Sequence, residues 1–294
     1  MITYEEVVSI LNRELFGGEI YSFLHALAFQ PQRFTGIFRY TSPRAKLLQY
    51  LLQSREIRFG NAWEKIVEHV IVKEFGWEKQ EKKLSENLYC DFLGKKSDTF
   101  LMIEQKIRDD HDSTKKRGQI ANFEHKVKYM FLQKSKNKDT SRFIFILYFI
   151  DPYLQKNRRY YEGRIKEMRG IYEAELHVHY GRELFEYLEN EKGRKIWEQL
   201  LRYLERWKEE LPELPSLDLD REEVKNELQE VAKREPIIWR RIAEEESLWR
   251  EKVISILFPS GNNLRYIAGV LEEESAQSRP HQKAWLRLRE RIRN

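Results

Sequence analysis

Residues 88–106, with the sequence LYCDFLGKKSDTFLMIEQK, decide the fold of this chain. Two apolar runs, at 88–92 and 99–107, lie on either side of a glycine-containing turn. Short apolar runs that are bounded by a turn predict two strands paired as a hairpin. In that pairing, Asp91 of the first strand lies beside Glu104 of the second, on one face of the sheet.

The segments around this hairpin predict an α/β core. Apolar residues recur at helical spacing over 61–77, and a second long helix is predicted over 114–134. The continuous apolar run 142–151 is typical of a central strand covered on both faces. A further strand, a glycine turn and a helix are predicted over 175–188. Helices and strands in this order predict a mixed central sheet flanked by helices.

Both ends of the chain are predicted to be helical. We therefore expect an N-terminal helical region at 1–58, an α/β core at 59–190 and a C-terminal helical region at 191–294. Thr3 and Glu6 have the spacing of a capping box, which predicts that the first helix begins there.

Composition limits the classes to which this protein can belong. Hydrophobic residues make up 41% of the 294 residues and charged residues 34%, a balance that supports a packed core. No apolar segment approaches the roughly 20 residues that a membrane-spanning helix needs. The N-terminus, MITYEEVVSIL, is acidic where a secretory signal is basic, so we expect a cytoplasmic protein. The one cysteine, Cys90, excludes an intramolecular disulfide and a cysteine-clustered zinc site.

The charge distribution favours a polyanionic partner. The net charge is +5 at pH 7, and a basic surplus of this kind occurs in proteins that bind nucleic acid. Basic residues are concentrated at 106–128, directly after the hairpin, and at 156–169.

Three charged residues in the apolar strands predict a catalytic site. Alternation along a strand puts Glu104 and Lys106 on one face, whereas Gln105 points the other way. Two carboxylates, from Asp91 and Glu104, would bind Mg²⁺ through the hard oxygen ligands that it takes. A lysine near the ion can orient an attacking water or help to deprotonate it. The pattern therefore predicts metal-dependent hydrolysis of a phosphodiester.

The spacing of an acid and a lysine is common, and it often marks only a solvated ion pair. We interpret three other occurrences in this way: Glu81/Lys83, Glu124/Lys126 and Glu223/Lys225. The pair Glu104/Lys106 differs because it ends an apolar strand. The alternative for it is a surface salt bridge at a strand end.

The sequence from Asp91 to Glu104-Gln105-Lys106 resembles the motif of the PD-(D/E)XK nuclease superfamily. The continuation IEQKIRDDHDSTKKRGQIANFEHK resembles a segment of Type II restriction endonucleases of the HinfI, HpyAIV, MboII and TdeIII kinds. The proline that names the motif is absent, and Cys90 stands in its place. The resemblance implies a restriction-endonuclease-like core at 61–188.

The resemblance also implies a set of site residues. Asp91, Glu104 and the backbone carbonyl of Gln105 would hold the metal, and Lys106 would be the catalytic lysine. An acid from the preceding helix commonly joins such a site. Glu64 is the better match for it, and Glu68, one turn further along, is the second.

The loop and helix start at 108–119 are predicted to hold DNA, because they follow the strand with Glu104 directly. Basic side chains here can neutralise phosphates, while Arg117 and Gln119 can instead pair with guanine and adenine. Ser113 or Thr114 would cap the helix and leave its amides near a phosphate. The candidates are Arg108, Asp110, His111, Ser113, Lys115, Lys116, Arg117 and Gln119. The alternative is a solvated charged loop.

These patterns together predict a Type II restriction endonuclease that hydrolyses double-stranded DNA with Mg²⁺. A homodimer is expected, because a twofold protein matches a twofold site, and a cognate DNA methyltransferase is the expected genetic partner. The alternatives are a structure-specific or repair nuclease of the junction-resolvase type with the same core, and a DNA-binding protein without catalysis.

Overall fold

A computed structural model of the chain describes residues 1–18, 20–38, 40–136, 141–172 and 174–293. The helices are α1 (Tyr4–Phe16), α2 (Ile20–Phe29), α3 (Gln32–Thr35), α4 (Pro43–Phe75), α5 (Ser113–Lys136), α6 (Arg158–Arg169), α7 (Glu183–Leu188), α8 (Asn190–Glu209), α9 (Glu222–Arg234), α10 (Pro236–Glu244), α11 (Glu246–Arg250), α12 (Val253–Leu257), α13 (Asn262–Ser275) and α14 (Arg279–Arg293). The strands are β1 (Glu78–Lys79), β2 (Lys83–Ser85), β3 (Leu88–Tyr89), β4 (Phe92–Lys96), β5 (Thr99–Lys106), β6 (Arg142–Phe149) and β7 (Glu175–Tyr180).

The chain divides into two compact units, each built from two separated stretches. The first unit consists of Met1–Val8 and Gly60–Glu209, and the second of Ser9–Phe59 and Glu210–Asn294. The division into three consecutive regions that the sequence suggested stays a prediction.

A five-stranded mixed sheet forms the centre of the first unit, in the order β1-β4-β5-β6-β7. β4 is antiparallel to β1 and β5, whereas β5, β6 and β7 run parallel. β6 is buried along all but its first residue, as expected for a strand covered on both faces. The predicted class, a mixed sheet flanked by helices, is confirmed.

One apolar layer joins this sheet to α5 and α6. Helix α5 contributes Ile120, Phe123, Val127 and Met130 at helical spacing, and α6 contributes Tyr161 among others. Each such side chain contributes about 2 kcal/mol relative to an exposed position. This packing fixes α5 relative to the sheet. Both ends of the loop between β5 and α5, residues 107–112, are therefore held in place.

The hairpin forms as predicted, but its first strand, Phe92–Lys96 (β4), lies four residues further along the chain. Residues 88–92 were expected to be one strand, whereas Leu88–Tyr89 (β3) pairs with β2 in a separate two-stranded sheet. β4 begins only at Phe92, which pairs with Ile103 of β5. Asp91 therefore lies directly before the strand and not inside it, and the register still puts it opposite Glu104.

The start of α1 follows its sequence signal, whereas the helix predicted to begin at residue 61 begins further upstream. The capping box is confirmed, because the Thr3 amide donates to Oε2 of Glu6 at 2.8 Å and the Glu6 amide donates to Oγ1 of Thr3 at 3.3 Å. The helix predicted over 61–77 is the C-terminal part of the longer helix α4.

The secondary-structure elements of the second unit, within its described residues, are all helices. Its core includes an apolar face of α2, with Phe23, Leu24 and Leu27 buried, which packs on α9 and α10. No helix in the part of the chain that the structure describes is long and apolar enough to cross a membrane.

Candidate active site

Three oxygen atoms from the hairpin surround the ammonium group of Lys106. Its Nζ donates to Oε1 of Glu104 at 2.9 Å and to the backbone carbonyl of Gln105 at 2.7 Å. Oδ2 of Asp91 lies 3.6 Å from the same nitrogen. The structure therefore brings Asp91, Glu104 and Lys106 together on one face, with three acceptor oxygens directed at one cation.

Backbone pairing holds the two carboxylates in this place. Asp91 accepts a hydrogen bond from the Gln105 amide at 2.6 Å, which fixes its side chain against the end of β5. Glu104 is only 3% exposed. The group is therefore a buried polar cluster and not a surface salt bridge.

Burial and mutual charge shift the pKa values of these groups. Burial raises the pKa of Asp91, and the neighbouring Glu104 raises it further. Burial alone would lower the pKa of Lys106, but attraction to Glu104 and Asp91 outweighs it and raises the pKa. Lys106 is consequently an ammonium ion in this arrangement, suited to donating hydrogen bonds.

A second lysine, from helix α5, completes the cluster. Lys126 is 4% exposed, and its Nζ donates to Oε2 of Glu104. The expectation that Glu124 and Lys126 form a solvated pair is wrong, because Lys126 follows Phe123 by three residues and precedes Val127 on the buried side of the helix. Its apolar neighbours at helical spacing are the signal that could have identified it.

The helix acid beside the cluster is Glu64 of α4. Burial raises its pKa to about 7, and the charge of Asp91 adds to the increase. Glu68 has different partners, since its two carboxylate oxygens contact Lys79 at 2.5 Å and Lys82 at 2.6 Å. Glu64 is therefore the acid of this helix that lies within the electrostatic reach of Asp91.

The loop after β5 is anchored by a buried aspartate. Asp109 is fully buried. It accepts hydrogen bonds from the backbone amide and the side-chain amide of Asn157, both at 2.8 Å, and from the Tyr180 hydroxyl at 3.0 Å. The Asn157 side chain also donates to the His111 carbonyl at 3.1 Å. Residues 109–111 are thus tied to the start of α6 and the end of β7.

Helix α5 is capped differently from the prediction. Ser113 and Thr114 were the expected caps, whereas Oδ1 of Asp112 accepts from the Thr114 amide at 3.0 Å and from the Lys115 amide at 2.8 Å. A carboxylate is a strong acceptor for the first amides of a helix and suits the positive end of its dipole. Those two amides therefore already donate to a side chain of the protein.

The other predicted DNA-binding residues lie along this loop and helix. Arg108, Asp110, Ser113, Lys115 and Arg117 are exposed, while His111 and Lys116 are half-buried. Gln119 accepts a hydrogen bond from the Tyr161 hydroxyl at 2.7 Å, and Lys116 lies over the Tyr160 ring. The exposed cations follow β5 directly.

The donor atoms of the cluster fit a hard divalent cation. Mg²⁺ usually takes one or two carboxylates in proteins and completes its shell with water and substrate oxygens. Asp91, Glu104 and the carbonyl of Gln105 are donors of this kind. The described residues contain no cluster of three or more His, Cys, Asp or Glu side chains that could hold a metal ion, so a bound cation would depend on the carbonyl and on water as well.

A comparison with protein families identifies this part of the chain. Residues 77–208 match the sequence model of a family described as Type II restriction endonuclease, HinfI. This segment is a HinfI-type restriction endonuclease domain. The match indicates a site-specific deoxyribonuclease and confirms the resemblance drawn from the motif. No curated protein matches the chain significantly.

The HinfI-type segment contains most of the cluster described above. It runs from Trp77, before β1, to Lys208 in α8, and so includes Asp91, Glu104 and Lys126. Glu64 lies outside it, on the helix that precedes the sheet.

Proposed function

We propose that this chain is a Mg²⁺-dependent enzyme that cuts double-stranded DNA at a specific sequence. One observation carries the proposal: oxygen atoms of Asp91, Glu104 and Gln105 all lie close to Nζ of Lys106. These oxygens can bind a cation, and the lysine beside them can donate a hydrogen bond. A divalent cation bound there would stabilise negative charge on the scissile phosphate.

Each residue has a distinct part in this proposal. Asp91, Glu104 and the Gln105 carbonyl hold the cation, and Lys106 donates a hydrogen bond that orients the attacking water or a phosphate oxygen. Glu64 is the further acid of the site. Water adds to phosphorus as the bond to the leaving sugar oxygen breaks; the water loses a proton to solvent, and the leaving oxygen takes one up.

The DNA is held by the loop and the start of α5. Exposed cations at Arg108, Lys115 and Arg117, with Lys116, can neutralise phosphates on either side of the scissile bond. Arg117 can instead pair with a guanine edge. The hydrogen bonds of the buried Asp109 fix the loop after β5 in place. This fixed position supports a role of the loop in holding DNA.

Plasmid digestion tests the proposal. Wild-type protein with Mg²⁺ should yield discrete fragments whose sequenced ends share one site, and EDTA should prevent cleavage. Asp91→Ala and Lys106→Ala should abolish cleavage but retain binding to the same DNA in Ca²⁺. The exposed pair Glu81 and Lys83, which has the same spacing, supplies the control variants Glu81→Ala and Lys83→Ala.

The possible outcomes distinguish the alternatives. Cleavage of branched DNA with no discrete plasmid fragments would indicate a junction-resolving nuclease. Binding without cleavage in Mg²⁺ would indicate a protein without catalysis. Unchanged cutting by Asp91→Ala would refute the assignment of the site.

We propose further that the enzyme acts as a homodimer and has a cognate methyltransferase. Two copies of one active site cut the two strands of a twofold-symmetric sequence. Sedimentation of the protein with DNA checks the first part. Protection of the mapped site by a methyltransferase encoded beside the gene checks the second.

A further inference from the structure

Three large apolar side chains project from one loop of the second unit. The loop between α3 and α4 has the sequence GIFRYTS at 36–42, and its described residues, 36–38 and 40–42, are called the exposed loop below. Ile37 is 89% exposed, and Phe38 and Tyr40 are each 97% exposed. Adjacent apolar side chains so fully in solvent mark a surface that contacts another molecule.

The base of this loop is firmly packed. Phe34 is buried, and its ring meets those of Phe23 and Tyr50 edge-on at 6.0 Å and 5.6 Å between centroids. Thr35 donates to, or accepts from, the hydroxyl of Ser247 at 3.1 Å. The exposed tip therefore stands on an ordered base and presents its side chains outward.

The stretch of sequence around the loop carries only positive charges. Residues 20–55 contain no Asp or Glu. Their five Lys and Arg residues are Arg33, Arg39, Arg44, Lys46 and Arg55. The net charge of the whole chain is also +5, so this one segment carries the entire surplus and the other residues are balanced.

The cations nearest the exposed loop are available to a polyanion. Arg33 and Arg44 are exposed. Arg33 and Lys46 donate only to the side-chain oxygens of Gln30 and Gln49, and among the described residues none of these three cations forms an ion pair. A second copy of the chain would bring like charges together here, which disfavours self-association.

We propose that the exposed loop is a second DNA contact, which places Phe38 and Tyr40 against the bases of a duplex while the surrounding cations hold the phosphates. Apolar side chains that enter a groove unstack base steps and kink the duplex, and aromatic rings stack on bases of any sequence. This inference rests on DNA as the substrate in the proposed function. It adds a binding surface outside the segment that matches the HinfI family.

A fluorescent label at the tip tests this contact directly. Cys90 is the one natural cysteine and is buried, so a thiol-reactive dye will label the Phe38→Cys variant selectively. A mixed-sequence DNA duplex, in Ca²⁺, should shield the dye from acrylamide. Inorganic polyphosphate, which has the charge but no bases, should not shield it.

Binding measurements on loop variants supply the second test. The double variant Phe38→Ala/Tyr40→Ala should bind the duplex about tenfold more weakly, with the wild-type dependence on salt. Arg44→Gln should instead reduce the salt dependence. Ile171→Ala, which also removes an exposed apolar side chain, is the control and should bind as the wild type does.

Several results would overturn the inference. It is wrong if the duplex leaves the dye accessible and the double variant binds normally. It is also wrong if the double variant keeps its DNA affinity but loses dimers, or loses only binding to vesicles of anionic phospholipid. Failure of the proposed function is seen separately, when DNA shields the dye on the labelled Phe38→Cys variant but the wild-type protein shows no Mg²⁺-dependent cleavage.

Discussion

Among single residues, Lys126 is a buried cation, and its ammonium group contacts a carboxylate that also contacts Lys106. Lys126→Met should lower the free energy of unfolding by about 2 kcal/mol, because one oxygen of the buried Glu104 loses its donor. Urea denaturation measures this change. Cleavage should fall as well, because Glu104 is then held from one side only.

Helix α5 offers a matched control for this substitution. Lys128 is exposed, so Lys128→Met should change the unfolding free energy by no more than about 0.5 kcal/mol. Equal stability of the two variants would contradict the structural part assigned to Lys126.

His179 of β7 makes the stability depend on pH. Burial lowers its pKa from 6.5 to about 3, and the neighbouring His177 contributes to the decrease. The unfolded chain takes up a proton below pH 6.5 while the folded protein does not, so stability is complete above pH 6.5 and is lost as the pH falls towards 3. Between pH 7.5 and pH 5 the loss should reach about 2 kcal/mol.

Replacing the imidazole isolates this contribution. In His179→Gln the difference between urea unfolding at pH 7.5 and at pH 5 should shrink, while the exposed His125 supplies the control His125→Gln. An unchanged pH dependence in His179→Gln would show that His179 is not the group responsible.

The elements around the site show what the sequence could and could not predict. Strand alternation and register put Asp91 beside Glu104, because both lie within one hairpin and obey local rules. The burial of Asp109 was not predictable in this way. Its partners Asn157 and Tyr180 follow it by 48 and 71 residues, and only the packing of α6 and β7 brings them to the loop.

Asp109 determines whether the loop after β5 keeps its shape. Asp109→Ala leaves the buried backbone amide of Asn157 and the Tyr180 hydroxyl without an acceptor and removes one acceptor of the Asn157 side chain, so the free energy of unfolding should fall by about 3 kcal/mol. DNA binding in Ca²⁺ should weaken too, since Arg108 and Lys115 then lose their fixed positions.

The neighbouring Asp110 provides the comparison for stability. Its carboxylate is exposed, and Asp110→Ala should change the unfolding free energy by about 0.5 kcal/mol or less. If Asp109→Ala were as stable as Asp110→Ala, the loop would not depend on its buried aspartate.

At the scale of the whole molecule, the compact units do not follow the order of the sequence. Helical periodicity correctly predicted helices at both ends of the chain. It could not show that 9–59 and 210–294 pack into one unit, because contacts between distant segments leave no local pattern. The family match ends at residue 208, next to Glu209, where the first unit ends. The second unit nevertheless begins at Ser9, far before the matched segment.

This arrangement predicts the result of a truncation. A chain ending at Glu209 keeps the matched segment but removes α9 and α10, which cover the apolar face of α2. Exposure of Phe23, Leu24 and Leu27 should make this chain aggregate, as measured by size-exclusion chromatography. A monodisperse truncated protein that still cuts DNA would contradict this expectation.

The charges of the active-site cluster balance without help from outside the chain. Asp91 and Glu104 are matched by Lys106 and Lys126, and the pKa of Glu64, raised to about 7 by burial, reduces the charge of this third acid. The acidic groups therefore do not need a metal ion to prevent their repulsion from opening the fold. A chelator should therefore stop cleavage without lowering the melting temperature. The same balance lets a newly made chain fold where free magnesium is scarce, and the Mg²⁺-dependent cleavage that we propose would then begin only when the ion is supplied.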